Sequence, residues 1–229
     1  MWQSIIDEAP RFFGYYNLIF IGEALLHTLA LSFVGAFVGF ACGVVLAVLR
    51  HERLFALPPF NWLAIAYVEV FRRIPFLVKL MCAFFAYQLL GFKVTMFVVA
   101  VTTVILSAAA FSAEIARAGL ESVHRNQWDA AEAMNFTPLQ TLLLVIMPQA
   151  WRVVLPPSFS YTIGFIKSTS IASQIGVLEL TYAAKVLNTK GFSAFLCFGT
   201  ILVLYFLICY PTKLLGEHLE RRLAPARRR

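Results

Sequence analysis

The chain has 229 residues, 60% of them hydrophobic and 14% charged, with a mean hydropathy of +0.77 and a net charge of +7. A soluble domain carries about 25% charged residues, so this composition excludes an ordinary water-soluble domain and points to a polytopic membrane protein folded as one bundle. The cationic excess does not by itself argue for nucleic acid; its placement along the chain is what carries information.

The opening stretch "MWQSIIDEAPRFFGYYN" has no basic lead and holds Asp7, Glu8 and a lone Arg11, which is not the form of a cleavable signal peptide. Residues 1–17 read as an interfacial segment anchored by Trp2, Tyr15 and Tyr16. A spanning helix needs about 20 apolar residues, and the first runs from Leu18 to Leu49. Gly35, Gly39, Gly43 and Ala47 recur every fourth residue in it, a small-residue stripe that lets a second helix approach closely. Arg50–Arg53 and Pro58–Pro59 form a short loop, and a second span follows from Phe60 to Leu90. Pro75 inside it removes a backbone donor, so a kink or break is expected there. The third span covers Val94 to Ala118. The fourth, Pro157 to Leu180, is polar for a membrane helix, with Lys167, Gln174 and many hydroxyls; the fifth, Phe192 to Tyr210, is plainly apolar. Cys42, Cys82, Cys197 and Cys209 all lie in apolar runs and read as buried hydrophobes, neither a disulfide framework nor a metal set.

Orientation follows from the 19 Lys and Arg residues. Eleven cluster in the first loop (Arg50, Arg53), beside the central loop (Arg117, Arg125, Arg152) and in the tail (Lys213, Arg221, Arg222, Arg227, Arg228, Arg229). The other face would hold only Arg11, Lys93, Lys185 and Lys190. The positive-inside rule puts the larger set in the cytoplasm. Central loop and tail then share a side, which requires two spans between them. The expected fold is an all-α membrane protein of five transmembrane helices, N-terminus periplasmic and C-terminus cytoplasmic.

Glu69, Arg72, Arg73 and Lys79 fall inside the second span and Lys167 inside the fourth. A charge at the bilayer centre costs at least about 2.5–3.5 kcal/mol, so these groups must face the bundle interior, a watery cavity or one another. If the helix continues through Pro75, the four on the second span share a sector about 120° wide. Glu69 can pair with Arg72 or Arg73, and Glu114 has Arg117 three residues on. Structural pairs and a polar pathway are both open readings. Broken helices at mid-membrane are where transporters bind substrate, which makes Arg73, Ile74, Pro75, Lys79, Ser107, Lys167 and Ser168 the candidate pathway residues.

The central loop, about residues 119–150, has the pattern of a soluble helical hairpin. Asn126 reads as an N-cap with Asp129 at N3, followed by the alanine-rich "QWDAAEAM". Asn135 suits a left-handed helix end; Thr137, Pro138 and Gln140 make a second capping box with proline at N1. Connections within bundles usually take about 2–8 residues, so a much longer, pre-capped corner reads as a docking element for a cytoplasmic partner.

"DAAEAMN" followed by "VIMP" resembles the EAA loop of membrane subunits in bacterial ABC importers. Asp129, Ala130, Ala131, Asn135, Val145, Met147 and Pro148 stand at its signature positions with spacing intact; Asp replaces Glu, Asn replaces Gly and Met replaces Leu. "YVEVFRRIPFLVKL", "SAEIARAGLESVHRNQWDAA", "MPQAWRVVLPP" and "IKSTSIASQIGVLELT" are similar to the polar amino-acid (histidine, glutamine, glutamate-type) branch of these permeases, over most of the chain. The resemblance implies an inner-membrane permease domain over 18–215 with a basic cytoplasmic tail over 216–229. It implies a second permease subunit, identical or homologous, and a periplasmic or lipid-anchored substrate-binding protein. A cytoplasmic ABC ATPase dimer would bind ATP and Mg, driving alternating access through a coupling helix. On that resemblance the coupling residues are Asn126, Asp129, Ala130, Ala131, Glu132, Asn135, Phe136, Thr137 and Pro138. No Gly-x4-Gly-Lys-Ser/Thr loop is present in this chain, so no nucleotide is expected on it, and no enzymatic role.

Departures from the branch pattern, Arg73-Ile74 for Gly-Thr, Lys79 for Gln and Ser168 for Asp, each shift local charge toward positive. They suggest a cargo with extra negative charge, such as an acidic amino acid or an opine-like carboxylate. The rivals are an ion-coupled secondary amino-acid transporter, an intramembrane hydrolase and a membrane scaffold. The first would leave the hairpin unexplained and commonly shows repeats. The second finds only scattered histidines, with His27 one turn from Glu23 as a helix-end pair, and the third would not need buried cations.

Overall fold

The computed structural model describes residues 2–54 and 58–223; the side chain of Trp2 and the tail residues Arg227, Arg228 and Arg229 lie outside the described residues. Every regular element described is helical. Four helical stretches are long and apolar enough to cross a membrane: Tyr15–Arg50 (α2), Met96–Glu121 (α5), Pro138–Ile175 and Ala194–Leu223 (α10). The third of these is composite, made of α7 (Pro138–Gln140), a π-helical turn (Thr141–Ile146), α8 (Met147–Ser168) and a 3-10 stretch (Thr169–Ile175). Pro148 explains the wide turn: it cannot donate to the carbonyl one turn back, and a π turn ahead of a proline relieves that clash. Pro156 and Pro157 sit inside α8, so this stretch begins well before the expected start of the fourth span.

The expected second span is two helices, α3 (Pro58–Arg73) and α4 (Phe76–Leu89). Pro75 adopts an extended conformation as the N-cap of α4, and the helix does not continue through it. The single 120° sector containing Lys79 is thereby corrected: Glu69, Arg72 and Arg73 lie on α3 and Lys79 on α4. α10 continues through Pro211, and residue 216 falls within it. Cys197 is buried, whereas Cys42 and Cys82 are exposed on the chain surface.

The chain forms two compact units. The first gathers Met1–Gly35, Pro75–Val104 and Gly164–Pro211. Its core packs Phe12 of α1 (Trp2–Phe12) and Ile21 and Ala24 of α2 against Leu180, Ala183 and Leu187 of α9 (Leu180–Thr189), with Cys197 and Ile201 of α10. Gly176 (φ +81°) closes the 3-10 stretch in the left-handed region, which costs glycine nothing. The chain then turns into α9 over Glu179, a fully buried carboxylate. Glu179 accepts from the backbone N–H groups of Thr181 and Tyr182 at 2.9 and 2.7 Å and from the Tyr205 hydroxyl at 2.8 Å. Three donors satisfy a group whose burial would otherwise be costly. His27 does not pair with Glu23 as expected; its Nδ1 lies 3.0 Å from the Leu178 carbonyl, a bond that closes the same loop.

The second unit gathers Ala36–Ile74, Ile105–Ile163 and Thr212–Arg229. Here α2 and α5 touch backbone to backbone. A Cβ on Gly39 would lie 2.8 Å from the Ile105 carbonyl oxygen, and one on Gly43 2.6 Å from that of Ala109. Gly22, on the same helix, has open space around it. Overpacking a tight contact costs about 1–3 kcal/mol, whereas Gly→Ala at an open helical site is neutral or mildly favourable. Gly43→Ala is therefore expected to lower the thermal midpoint of the purified protein and Gly22→Ala to leave it unchanged or slightly raised. Equal midpoints for the two variants would refute the close approach.

Candidate coupling surface and membrane charges

The corner of the second unit begins at α6 (Arg125–Ala133). Its N-cap is His124, whose Nδ1 accepts from the Asn126 backbone N–H at 3.2 Å, so the expected cap at Asn126 is displaced by two residues. An imidazole is a less common cap than asparagine, and the sequence pattern favoured the more usual residue. The helix ends in a left-handed Asn135 (φ 58°), with Asn135 N–H donating to Glu132 O at 2.9 Å and Phe136 N–H to Ala131 O at 3.1 Å. That pair of bonds is a Schellman motif. Thr137 and Gln140 then form a reciprocal capping box with Pro138 at the first helical position. Both arms of the corner thus have their end groups satisfied without help from elsewhere.

One face of α6 is fixed inward. Trp128 is buried in a cluster with Leu54, Leu120, Val123, Leu142, Ile146 and Ala150, and Ala131 is buried beside it. The ring of His51 stacks on Trp128 with centroids 4.6 Å apart and planes 8° from parallel. Arg53 Nη1 donates to Asp129 Oδ1 at 2.9 Å, Arg125 Nε lies 3.8 Å from Asp129 Oδ2, and Gln149 Nε2 donates to Gln127 Oε1 at 3.3 Å. Burial pushes the His51 imidazole below its ordinary pKa; Arg53 acts in the same direction, Glu121 and Glu52 against it. The other face of the corner is open: Asn126, Asp129, Ala130, Glu132, Asn135, Thr137 and Pro138 are exposed, Phe136 is partly so, and Met134 is 66% exposed.

The membrane charges on α3 and α5 are paired. Arg73 Nε donates to Glu69 Oε2 at 2.7 Å. Arg72 Nη1 stands 3.6 Å from Glu114 Oε2. Arg117 bonds both Glu114 and Glu121, the latter at 2.6 Å. The Arg72 guanidinium also lies 6.0 Å from the Phe111 ring centre, within cation–π range. Arg73, Ile74 and the fully buried Ser107 belong to the second unit; Pro75, Lys79, Lys167 and Ser168 belong to the first. Lys79 is nearly buried with its ammonium 6.0 Å from the Phe76 ring, Lys167 is exposed, and Ser168 Oγ donates to the Gly164 carbonyl at 3.0 Å. The coupling candidates are brought together on one corner; the pathway candidates are divided between the units. Sequence reading missed His51, Arg53, Leu54 and Trp128. A tryptophan in an otherwise alanine-rich, polar helix is the available signal that one face is anchored; the basic loop's own pattern carries no sign of its contacts with α6.

Residues 39–225 match the family of binding-protein-dependent transport system inner membrane components. The chain is 30% identical over 223 residues to the probable amino-acid ABC transporter permease protein YckA of Bacillus subtilis (strain 168), covering 97% of this chain and 96% of that protein. It is 31% identical over 217 residues to the probable glutamine ABC transporter permease protein GlnP of the same organism, covering 92% and 98%. A solved structure described as an amino acid ABC transporter with histidines superposes with a TM-score of 0.81 at 26% identity, covering 97% of this chain and 98% of that one. These relatives are ABC permeases and not ion-coupled transporters or hydrolases, and ATP hydrolysis in such systems resides in a separate subunit. With its helical fold, apolar spans and capped corner, the chain belongs to the binding-protein-dependent transport system inner membrane component family, as the multi-pass membrane subunit of an ABC importer.

Proposed function

We propose that this subunit forms the translocation pathway for a polar amino acid or a related compound and is driven through the corner at α6. Five crossings, N-terminus outside and C-terminus inside, are the topology the charge distribution supports, with α3 and α4 together making the second. A cytoplasmic ATPase dimer, holding ATP and Mg, engages Asn126, Asp129, Ala130, Glu132, Asn135, Phe136, Thr137 and Pro138; Ala131, expected among them, is buried and lies outside the docking face. A second permease subunit and a periplasmic or lipid-anchored binding protein complete the importer. The observation that carries this reading is a helix held on one face by Trp128 and capped at both ends, with Met134 projecting on the other. A push on such an element moves it as a body, and the Arg53–Asp129 and His51–Trp128 contacts pass that motion to the loop after α2. The amino-acid cargo is supported by the names of the relatives. Lys79, Lys167 and Arg73 are the residues that favour a negatively charged member of that class, although the Arg73 charge is offset by Glu69.

In proteoliposomes holding the assembled importer, Met134→Glu with Phe136→Glu is expected to lower ATP-driven uptake at least about ten-fold. The same variant should lose co-purification of the ATPase while the permease still elutes as a folded species; undiminished uptake would refute the docking assignment. A second expectation concerns pH. The half-buried His51 binds its proton less readily in the folded joint than in an unfolded chain, so its contribution is complete above the ordinary imidazole value of about 6.5 and declines as pH falls through it. The thermal midpoint should drop between about pH 7.5 and about pH 5.5, and His51→Phe, which keeps a ring, should flatten that part of the profile. Uptake competition tests the cargo: glutamate and larger dicarboxylates should compete with it, and preference for arginine or histidine would overturn the acidic assignment.

A further inference from the structure

Within the first unit, the turn after the fourth stretch holds a cation without a counter-charge. Gly176 and Glu179 reverse the chain, and α9 folds back along the 3-10 stretch Thr169–Ile175. Lys185 of α9 thereby comes beside Ser173, and its Nζ donates to Ser173 Oγ at 2.9 Å. Among the described residues this is its one hydrogen bond, and no carboxylate stands within ion-pair distance of it. The acid at the start of the same helix, Glu179, is already bonded to Thr181, Tyr182 and Tyr205.

Holding α9 against the 3-10 stretch does not by itself explain a lysine. An ammonium carries three N–H donors and Ser173 takes one; an amide or a hydroxyl would make the same bond without a charge. A partly shielded cation in a membrane transport protein marks a ligand or a pathway, and the neighbouring residues connect this one to the pathway candidates. Ser173 Oγ donates to the Ser170 carbonyl at 2.8 Å, and Ser170 Oγ to the Lys167 carbonyl at 2.7 Å. A 3-10 helix has three residues per turn, so side chains three apart eclipse one another. Ser170 and Ser173 are therefore stacked on one face, which Lys185 closes at one end and Lys167 begins at the other. The strip is open to its surroundings: Lys167 is exposed, and Ser170 and Lys185 are partly so. Lys167 and Ser168 are pathway candidates already, and Lys185 stands at the far end of a polar strip that starts with them.

An ammonium with two uncommitted N–H donors and no acid beside it suits an anionic oxygen. The cargo supported by the relatives' names is an amino acid, and every amino acid carries such a group. We propose that Lys185 binds a carboxylate of the amino-acid cargo, as a specificity-determining residue beyond the pathway candidates of the second and fourth spans. This rests on the amino-acid cargo proposed above and not on its acidic character. The carboxylate is either the one common to all amino acids, on the α-carbon, or the one on an acidic side chain. The Ser173 bond holds the lysine in place, and the orientation proposed above puts it at the outward end of the strip, where cargo enters.

The test measures retention of radiolabelled glutamate, glutamine and glutamine amide by the permease–ATPase complex in nanodiscs, without binding protein, so that the membrane subunits alone select. Glutamate and glutamine differ by the side-chain charge, and glutamine amide lacks the α-carboxylate. Lys185→Gln keeps a donor for Ser173 and removes only the charge. It is expected to weaken retention of a carboxylate-bearing probe about ten-fold, and Lys185→Arg should preserve most of it. Loss for glutamate and glutamine alike, with glutamine amide unchanged, assigns the α-carboxylate; loss confined to glutamate assigns the side-chain one. Lys190→Gln, at the end of the same helix and lying over the Phe20 ring, should change none of the three. Equal retention of each probe by wild type and Lys185→Gln would overturn this site while leaving the cargo reading intact. An equal loss for all three, glutamine amide included, would also overturn it, since a loosened α9 gives that pattern. Wild type that retains none of the probes would overturn the amino-acid cargo and this inference with it. Retention in the expected pattern without ATP-driven uptake would fault the coupling reading and leave this site standing.

Discussion

No charge in this protein can face hydrocarbon alone, and the arrangement of α3 against α5 follows from that constraint. Glu69, Arg72 and Arg73 occupy consecutive turns of one helix; Glu114, Arg117 and Glu121 occupy one side of another. Arg72 reaches across to Glu114, while Arg73 and Arg117 find carboxylates on their own helices. Removing one member would strand its partner in a partly shielded site, which is costlier than the pair is stabilising. The small residues on α2 fix a second neighbour of α5. With only hydrogen at Gly39 and Gly43, α5 lies close enough to α2 that its position is set by backbone contact rather than by the fit of large side chains.

The corner applies the same rule to backbone groups. A helix end leaves four donors or four acceptors bare, and at Asn135–Thr137 two ends meet within three residues. The Schellman bonds and the capping box satisfy both. What remains exposed there is side-chain surface, Met134 and Leu139 above all, available to a partner without any backbone group having to be stripped of water.

Much of this was legible in the chain. The capping box at Thr137 and Gln140, the left-handed asparagine and the proline at N1 have local causes, and local causes read well from sequence; the other box, expected at Asn126 and Asp129, gave way to a cap at His124. The break at Pro75 was legible as an event but not as a geometry, because whether a proline kinks or ends a helix depends on what packs beside it. The start of the fourth stretch differs for a related reason: Pro156 and Pro157 look like a helix start, yet α8 runs through them. His51 and Trp128 are 77 residues apart in the chain, and nothing in either segment's own pattern brings them together. The same holds for Arg72 and Glu114, where the acid was assigned to its neighbour Arg117 and the second bond across helices was not visible.

The break between α3 and α4 at Pro75 bears on how the protein is made. At 1.5 Å per residue these helices are only about 24 and about 21 Å long, short of the roughly 30 Å of hydrocarbon, and α3 ends in two arginines. Such a segment partitions poorly into a bilayer while its carboxylate partner on α5 is still inside the ribosome. Integration of this region is then expected to be collective, with α3 gaining stable residence once α5 has emerged and Glu114 can meet Arg72. On that expectation, biogenesis of the N-terminal half depends on sequence that is translated later.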